Sequence, residues 1–200
     1  MKKKYLILPS VLLIIFIVLA LIVKVSPTLS IDNSVSNFIL SHQNNYLLNF
    51  SKIIGIIFDT IPMIVLSLII SVFLFIKSKP KEALYFASAS IITGALIYVL
   101  KDLIARPRPV LQAVQETSFA FPSGHATISI VFFGLLTLFA FKHMKSKKQK
   151  ILSLITSLVL ILIAGLTRIY LNVHWLTDVI GGYLLGATIL TTFIYFYKKD

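Results

Sequence analysis

Six apolar stretches, near residues 5–23, 60–76, 84–104, 124–141, 151–170 and 179–197, constrain this chain more than any other feature. Each is long enough to cross roughly 30 Å of hydrocarbon, which takes about 20 residues of helix. Backbone in lipid must satisfy its own hydrogen bonds, so spans of this kind fold as helices. The expected fold is all-α: a six-transmembrane-helix bundle forming a single integral membrane domain over residues 1–200, with 60–197 as its core. The second stretch has the least definite start, because NYLLNFSKIIGIIFDTIPMIVLSLII permits an earlier one and Pro62 resets the helix. Residues 24–59 begin Ser/Asn-rich and continue with mixed apolar patterning, which reads as one or two amphipathic helices lying at the interface. The opening MKKK and its apolar run resemble a signal peptide, but the run exceeds the usual 7–15 residues and no A-x-A-like site follows. It is read as a retained first helix.

Charge supplies the topology. The chain is 58% hydrophobic, well above the usual soluble range, yet carries a net charge of +12. Lys2, Lys3 and Lys4 precede the first span, and Lys77, Lys79 and Lys81 lie between the second and third. Lys142, Lys145, Lys147, Lys148 and Lys150 lie between the fourth and fifth, and Lys198 and Lys199 close the chain. With six spans these thirteen of the 19 basic residues share one side, which the positive-inside rule makes cytoplasmic. Both termini are then cytoplasmic, segment 24–59 is extracytoplasmic, and nucleic acid is not the expected partner. No cysteine is present, which excludes disulfides, thiolate chemistry and cysteine-bound metal.

Six basic residues remain. Lys24 and Lys52 fit ordinary interfacial positions, whereas Lys101, Arg106, Arg108 and Arg168 fall on the opposite face to the other lysines and include every arginine. A guanidinium pairs bidentately with phosphate or carboxylate, where an ammonium offers a point charge. KDLIARPRP (101–109), FPSGH (121–125) and TRIYLNVHWLTD (167–178) all reach that face, and together they form one polar pocket at the membrane boundary. Pro122-Ser123-Gly124 reads as a helix start with Ser123 as N-cap, an arrangement suited to phosphate, and Gly124 allows close backbone approach. His174 and Asp178, spaced i, i+4, meet on one face of a helix. A carboxylate holding one ring nitrogen raises the basicity of the other, which can then attack. Two histidines and an aspartate also fit zinc, but Asp178 serves better as the orienter of His174 and the nearby cations repel a metal.

Lys101 to Arg108-Pro109 as K-x6-R-P, residues 122–125 as P-S-G-H, and Arg168 to His174 to Asp178 as R-x5-H-x3-D resemble the three-part signature of the type-2 phosphatidic acid phosphatase superfamily in its bacterial six-span form. The resemblance covers about residues 60–197 and departs at Thr167, where the family usually has serine. It implies metal-independent, cofactor-free phosphoryl transfer in two steps. His174 would attack phosphorus with Asp178 orienting it, and His125 would protonate the leaving oxygen and then activate water. Lys101, Arg108, Ser123, Gly124 and Arg168 would bind the phosphoryl oxygens. The substrate class is a membrane lipid phosphate at the outer leaflet: undecaprenyl pyrophosphate, phosphatidylglycerol phosphate or phosphatidic acid.

The rival readings are weaker. A transporter would place charges at the centres of spans. A catalytically dead scaffold would lack one of His125, His174 and Asp178. The vanadium haloperoxidases share such a site but are soluble. A lipid phosphotransferase remains the nearer alternative. Arg106 lies outside the matched positions, either as a contact to a second phosphate or headgroup or as an interfacial anchor; Trp175 and Tyr170 read as interfacial aromatics rather than substrate contacts; Gly182 and Gly186 read as packing residues within the bundle rather than a dimerisation face. Segment 24–59 is either a lid or a plain connector. The sequence leaves oligomeric state open.

Overall fold

The structure, a computed structural model, describes residues 6–199, so the expectation for Lys2, Lys3 and Lys4 lies outside the described residues. Eight helices and no strand occur among them: α1 (Ile7–Val25), α2 (Ser30–Ser41), α3 (Asn45–Ile57), α4 (Thr60–Ile76), α5 (Pro80–Ile104), α6 (Gly124–His143), α7 (Lys147–Tyr170) and α8 (Leu176–Lys199). Five are long and apolar enough to cross a membrane, or six if α3 and α4, bent by 49° at their junction, count as one broken span. Large apolar side chains such as Val18, Ile69, Val99 and Leu158 are at least half exposed along their flanks. Such a band is what a multi-pass membrane protein presents to lipid.

The helices run longer than their apolar windows because local chemistry sets their ends. Pro80, whose fixed φ suits a first helical position, begins α5 four residues before the expected start. A capping box begins α7 at Lys147, with Gln149 accepting the Ser146 N–H at 3.4 Å. Asp59 caps α4 through the Thr60 N–H at 2.6 Å, so Pro62 falls in the first turn, where it costs no internal hydrogen bond.

Helix α6 is the centre of the bundle, buried over most of its circumference and packed against α4, α5, α7 and α8. An aromatic cluster of Phe58, Phe86, Phe132, Phe133 and Phe139 fills the space around it. Helix α8 crosses α6 on glycine: a Cβ at Gly182 would stand 2.6 Å from the Ser123 carbonyl oxygen, and one at Gly186 2.7 Å from that of Thr127. These glycines pack within the bundle, as expected. Segment 24–59 is more than a connector. Gln43 and Asn44, at the start of α3, bond to Tyr170, and Gly55, near its other end, lies against the Arg168 side chain. Helix α3 therefore lies across the last turns of α7, and α2 beside it meets α8, so that the segment covers the end of the bundle carrying the three motifs.

Candidate active site

Helix α5 ends at Ala105, which takes the left-handed conformation (φ 54°) and closes its N–H on the Lys101 carbonyl at 2.8 Å. Pro107 and Pro109 then keep the chain out of helix. The resulting loop folds back over the helix ends. Lys101 Nζ donates to Phe119 O at 2.6 Å and to Ser118 Oγ at 3.0 Å. Arg108 donates to Ser118 O and Val173 O, both at 2.6 Å, and its Nη1 lies 3.3 Å from His174 Nε2. The Ser123 N–H donates to Asp178 O at 3.0 Å, which fastens the P-S-G-H run to the first turn of α8. His125 Nε2 lies 2.8 Å from Gly55 O and 4.0 Å from Asp59 Oδ1, at the α3–α4 bend. Arg168 pairs with Glu116, whose other carboxylate oxygen is 3.7 Å from Arg108 Nη2.

All eight residues expected at the site thus come to one end of the bundle. A cleft of about 360 Å³ opens there, walled by Lys101, Arg108, Glu116, Gly124, His125 and His174. Ser123, Arg168 and Asp178 stand behind that wall. Ser123 takes the N-cap position of α6 with extended backbone, but its hydroxyl makes no capping bond; both its N–H and its carbonyl are committed elsewhere, to Asp178 and Thr127. Ser123 Oγ, Arg168 Nε and His174 Nδ1 are buried with no hydrogen-bond partner in the protein. The Thr167 hydroxyl turns back on its own helix, to Ala164 O at 3.2 Å, away from the cleft.

His174 and Asp178 do meet, though not within a helix. His174 sits in the α7–α8 loop, and Asp178 reaches back from the first turn of α8, leaving Nδ1 and Oδ2 3.4 Å apart. Because Arg108 can only donate to Nε2, that nitrogen presents its lone pair and the ring proton belongs on Nδ1, facing the carboxylate. Burial pushes the His174 imidazole well below its ordinary range, and Arg108, Lys101 and Arg168 push it further the same way. Both effects favour the neutral ring.

Three sequence readings need correction. Arg106 is no lipid anchor: it is almost wholly buried, with Nη1 on Asp178 Oδ1, Nη2 2.6 Å from Asp32 Oδ2 and Nε donating to Pro27 O at 2.7 Å. Two carboxylates and a carbonyl satisfy its fork more fully than a lipid headgroup in water would. Trp175 is buried rather than interfacial, its indole N–H donating to Pro107 O at 2.9 Å. Asp32, on α2, was overlooked altogether. It accepts from Thr177 N at 2.9 Å and from Thr177 Oγ1 at 2.8 Å. The one available signal was scarcity, for Asp32 and Asp59 are the only acids in the first 59 residues.

The model of the PAP2 superfamily matches residues 82–200, which contain all three motifs at the cleft. This chain belongs to the PAP2 superfamily. It is 32% identical to phosphatidylglycerophosphatase B of Bacillus subtilis over 184 residues, 89% of each chain. Over 192 residues it is 30% identical to the undecaprenyl-diphosphatase of Sulfolobus acidocaldarius, covering 90% of this chain and 86% of that one. The crystal structure of a transmembrane PAP2 type phosphatidylglycerolphosphate phosphatase from Bacillus subtilis superposes with a TM-score of 0.83 at 28% identity, over 96% of both chains. Like these PAP2 relatives, the protein is a phosphatase and a multi-pass membrane protein.

Proposed function

We propose that this PAP2 phosphatase hydrolyses a lipid phosphate or pyrophosphate at the outer leaflet, without metal, through a phosphohistidine on His174. The observation that carries this reading is the placement of His174 between Asp178, 3.4 Å from Nδ1, and Arg108, 3.3 Å from Nε2, in a cleft shared with Lys101 and His125. In the first step Nε2 attacks phosphorus, the bond from phosphorus to the leaving oxygen breaks, and His125 gives that oxygen a proton. In the second, His125 takes a proton from water as the water oxygen bonds phosphorus. The N–P bond breaks and its electron pair returns to Nε2. Lys101, Arg108 and the Gly124 N–H face the transferring group. Arg168 joins them once Glu116 yields its bond, and Arg168 Nε and the Ser123 hydroxyl, buried without protein partners, gain acceptors in the phosphoryl oxygens.

The topology follows from the lysines. Helices α5 to α8 alternate in direction, so Lys77–Lys81, Lys142–Lys150 and Lys198–Lys199 gather at the end opposite the cleft. With α3–α4 taken as one span, this lysine arrangement supports the reading that both termini are cytoplasmic and the cleft lies outside. The sister names add phosphatidylglycerol phosphate and undecaprenyl pyrophosphate as first candidates, with phosphatidic acid beside them.

The test is phosphate release by purified protein in detergent with EDTA, on those three lipids, with His174→Ala as the control. Hydrolysis of at least one lipid by the wild type and none by the variant is the expected result. An active His174→Ala, loss of activity with EDTA, or a wild type inert on all three lipids would each sink the reading. Transfer to a second lipid alcohol instead of water would make the protein a phosphotransferase.

A further inference from the structure

The steps above do not use the buried cluster around Arg106, although it lies directly behind the Asp178 carboxylate. One guanidinium is shared by two acids there, Nη1 on Asp178 and Nη2 on Asp32, and all three side chains are fully enclosed. Fully ionised, the trio carries one positive and two negative charges. An uncompensated charge in such a place is costly unless a cation stands close by. The adjacent group able to become one is His174, whose Nδ1 is 3.4 Å from the free side of Asp178.

We infer that Asp32 and Arg106 are positioning residues for Asp178: Arg106 fixes the direction its carboxylate faces, and Asp32, by neutralising Arg106, leaves the Asp178 charge for His174. The inference rests on His174 being the nucleophile. When Nε2 bonds phosphorus, the ring acquires positive charge. Were Arg106 paired with Asp178 alone, that charge would meet an already neutral pair. Asp178 is held from both sides, Oδ1 by Arg106 and Oδ2 by the Trp175 N–H at 2.8 Å, which leaves Oδ2 turned toward His174. Asp32 is fixed by the start of α8 itself. Trp175, at the N-cap position, has no side-chain acceptor, and Asp32 of α2 takes its place on the Thr177 N–H. The same carboxylate thus finishes α8, docks α2 and balances Arg106.

Asp32→Asn tests this, because it keeps the shape and the acceptor for Thr177 but removes the charge. Steady-state kinetics would be run on micelles of the three lipids named above, alongside thermal unfolding and His174→Ala. The expected result is a fall in kcat of about 10- to 100-fold with KM nearly unchanged, since substrate does not touch Asp32. The acid limb of kcat/KM should move down by about one pH unit, because protonated His174 loses support. The groups acting on that limb are Asp178 of α8, Arg108 of the α5–α6 loop, Lys101 of α5, His125 of α6 and Arg168 of α7. Asp32→Glu, which restores the charge, should recover part of kcat. Arg106→Lys supplies a second variant: it keeps the charge but one ammonium does not span both acids, so kcat should again fall alone.

An Asp32→Asn enzyme with unaltered kcat and acid limb overturns the inference. So does a parallel fall of kcat, KM quality and melting temperature that Glu repairs no better than Asn, which is a structural role only. His174→Ala separates the two levels. If it still turns over, the nucleophile assignment has failed; if it is inert while Asp32→Asn is normal, only the positioning role has failed.

Discussion

At the lysine end of the bundle, Glu82 of α5 meets Lys142 of α6 at 2.8 Å and the Tyr197 hydroxyl of α8 at 2.9 Å, with the Lys142 side chain 48% exposed. At the other end, Asp32, Arg106 and Asp178 also join several helices through opposite charges, with side chains 0% exposed. The chemistry is alike and the energetics are not. Water and salt reach Lys142 in the first cluster, and Glu82 keeps the Tyr197 hydroxyl when the lysine is removed, so the pair contributes less. The second has no water to fall back on, and each member is there only because the others are. One end gathers many charges within reach of water; the other holds a few charges in fixed directions.

The comparison breaks or sharpens most clearly on stability. Arg106→Ala leaves two enclosed carboxylates facing each other and should cost about 3–5 kcal/mol, whereas Lys142→Ala should cost less than about 1 kcal/mol. Thermal unfolding in detergent measures both, and equal losses would erase the distinction. Next comes Gly182→Ala. Its new methyl would meet the Ser123 carbonyl and force α6 and α8 apart where Ser123 N–H bonds Asp178 O, at a cost of about 1–3 kcal/mol. Phosphatase activity should fall about tenfold or more with it. Thr192→Ala, nearer the lysine end of the same helix, removes only a hydroxyl bonded to Thr188 O and should stay within about 1 kcal/mol with activity kept. Equal activity in the two variants would detach the α6–α8 crossing from the site.

The last test is in pH. Burial and neighbouring cations hold His174 neutral in the folded protein, while in the unfolded chain it binds a proton below about 6.5. The unfolded state therefore gains protons as pH falls, and folded stability drops by up to about 1.4 kcal/mol per unit below 6.5. The pH 5 to 7 melting curve should be flatter for His174→Gln than for the wild type. Parallel curves would mean that His174 does not carry this dependence.

The sequence was most informative where chemistry and position coincide. Six apolar runs marked helices, five of them long and apolar enough to cross a membrane alone and the other, α4, only together with α3, and three motifs at fixed spacing marked the eight residues that the structure brings to one end. It was least informative where a partner is distant. Arg106 was rightly suspected as an arginine that needs its guanidinium, yet its acids come from 74 residues before and 72 after, and no local pattern points across such distances. Trp175 misled for a related reason. Its indole suits a membrane interface as well as it suits Pro107 O, and only the fold of the α5–α6 loop decides. Ser123 occupies the expected N-cap position without the expected side-chain bond, while its backbone N–H is tied to α8.

The cap on α8 comes from a residue 145 positions earlier in the chain. A ribosome therefore delivers Asp32 while the helix it will finish has yet to be made. The pocket closes only when α8 returns to α2, so a nascent chain that stops before α8 carries no finished site.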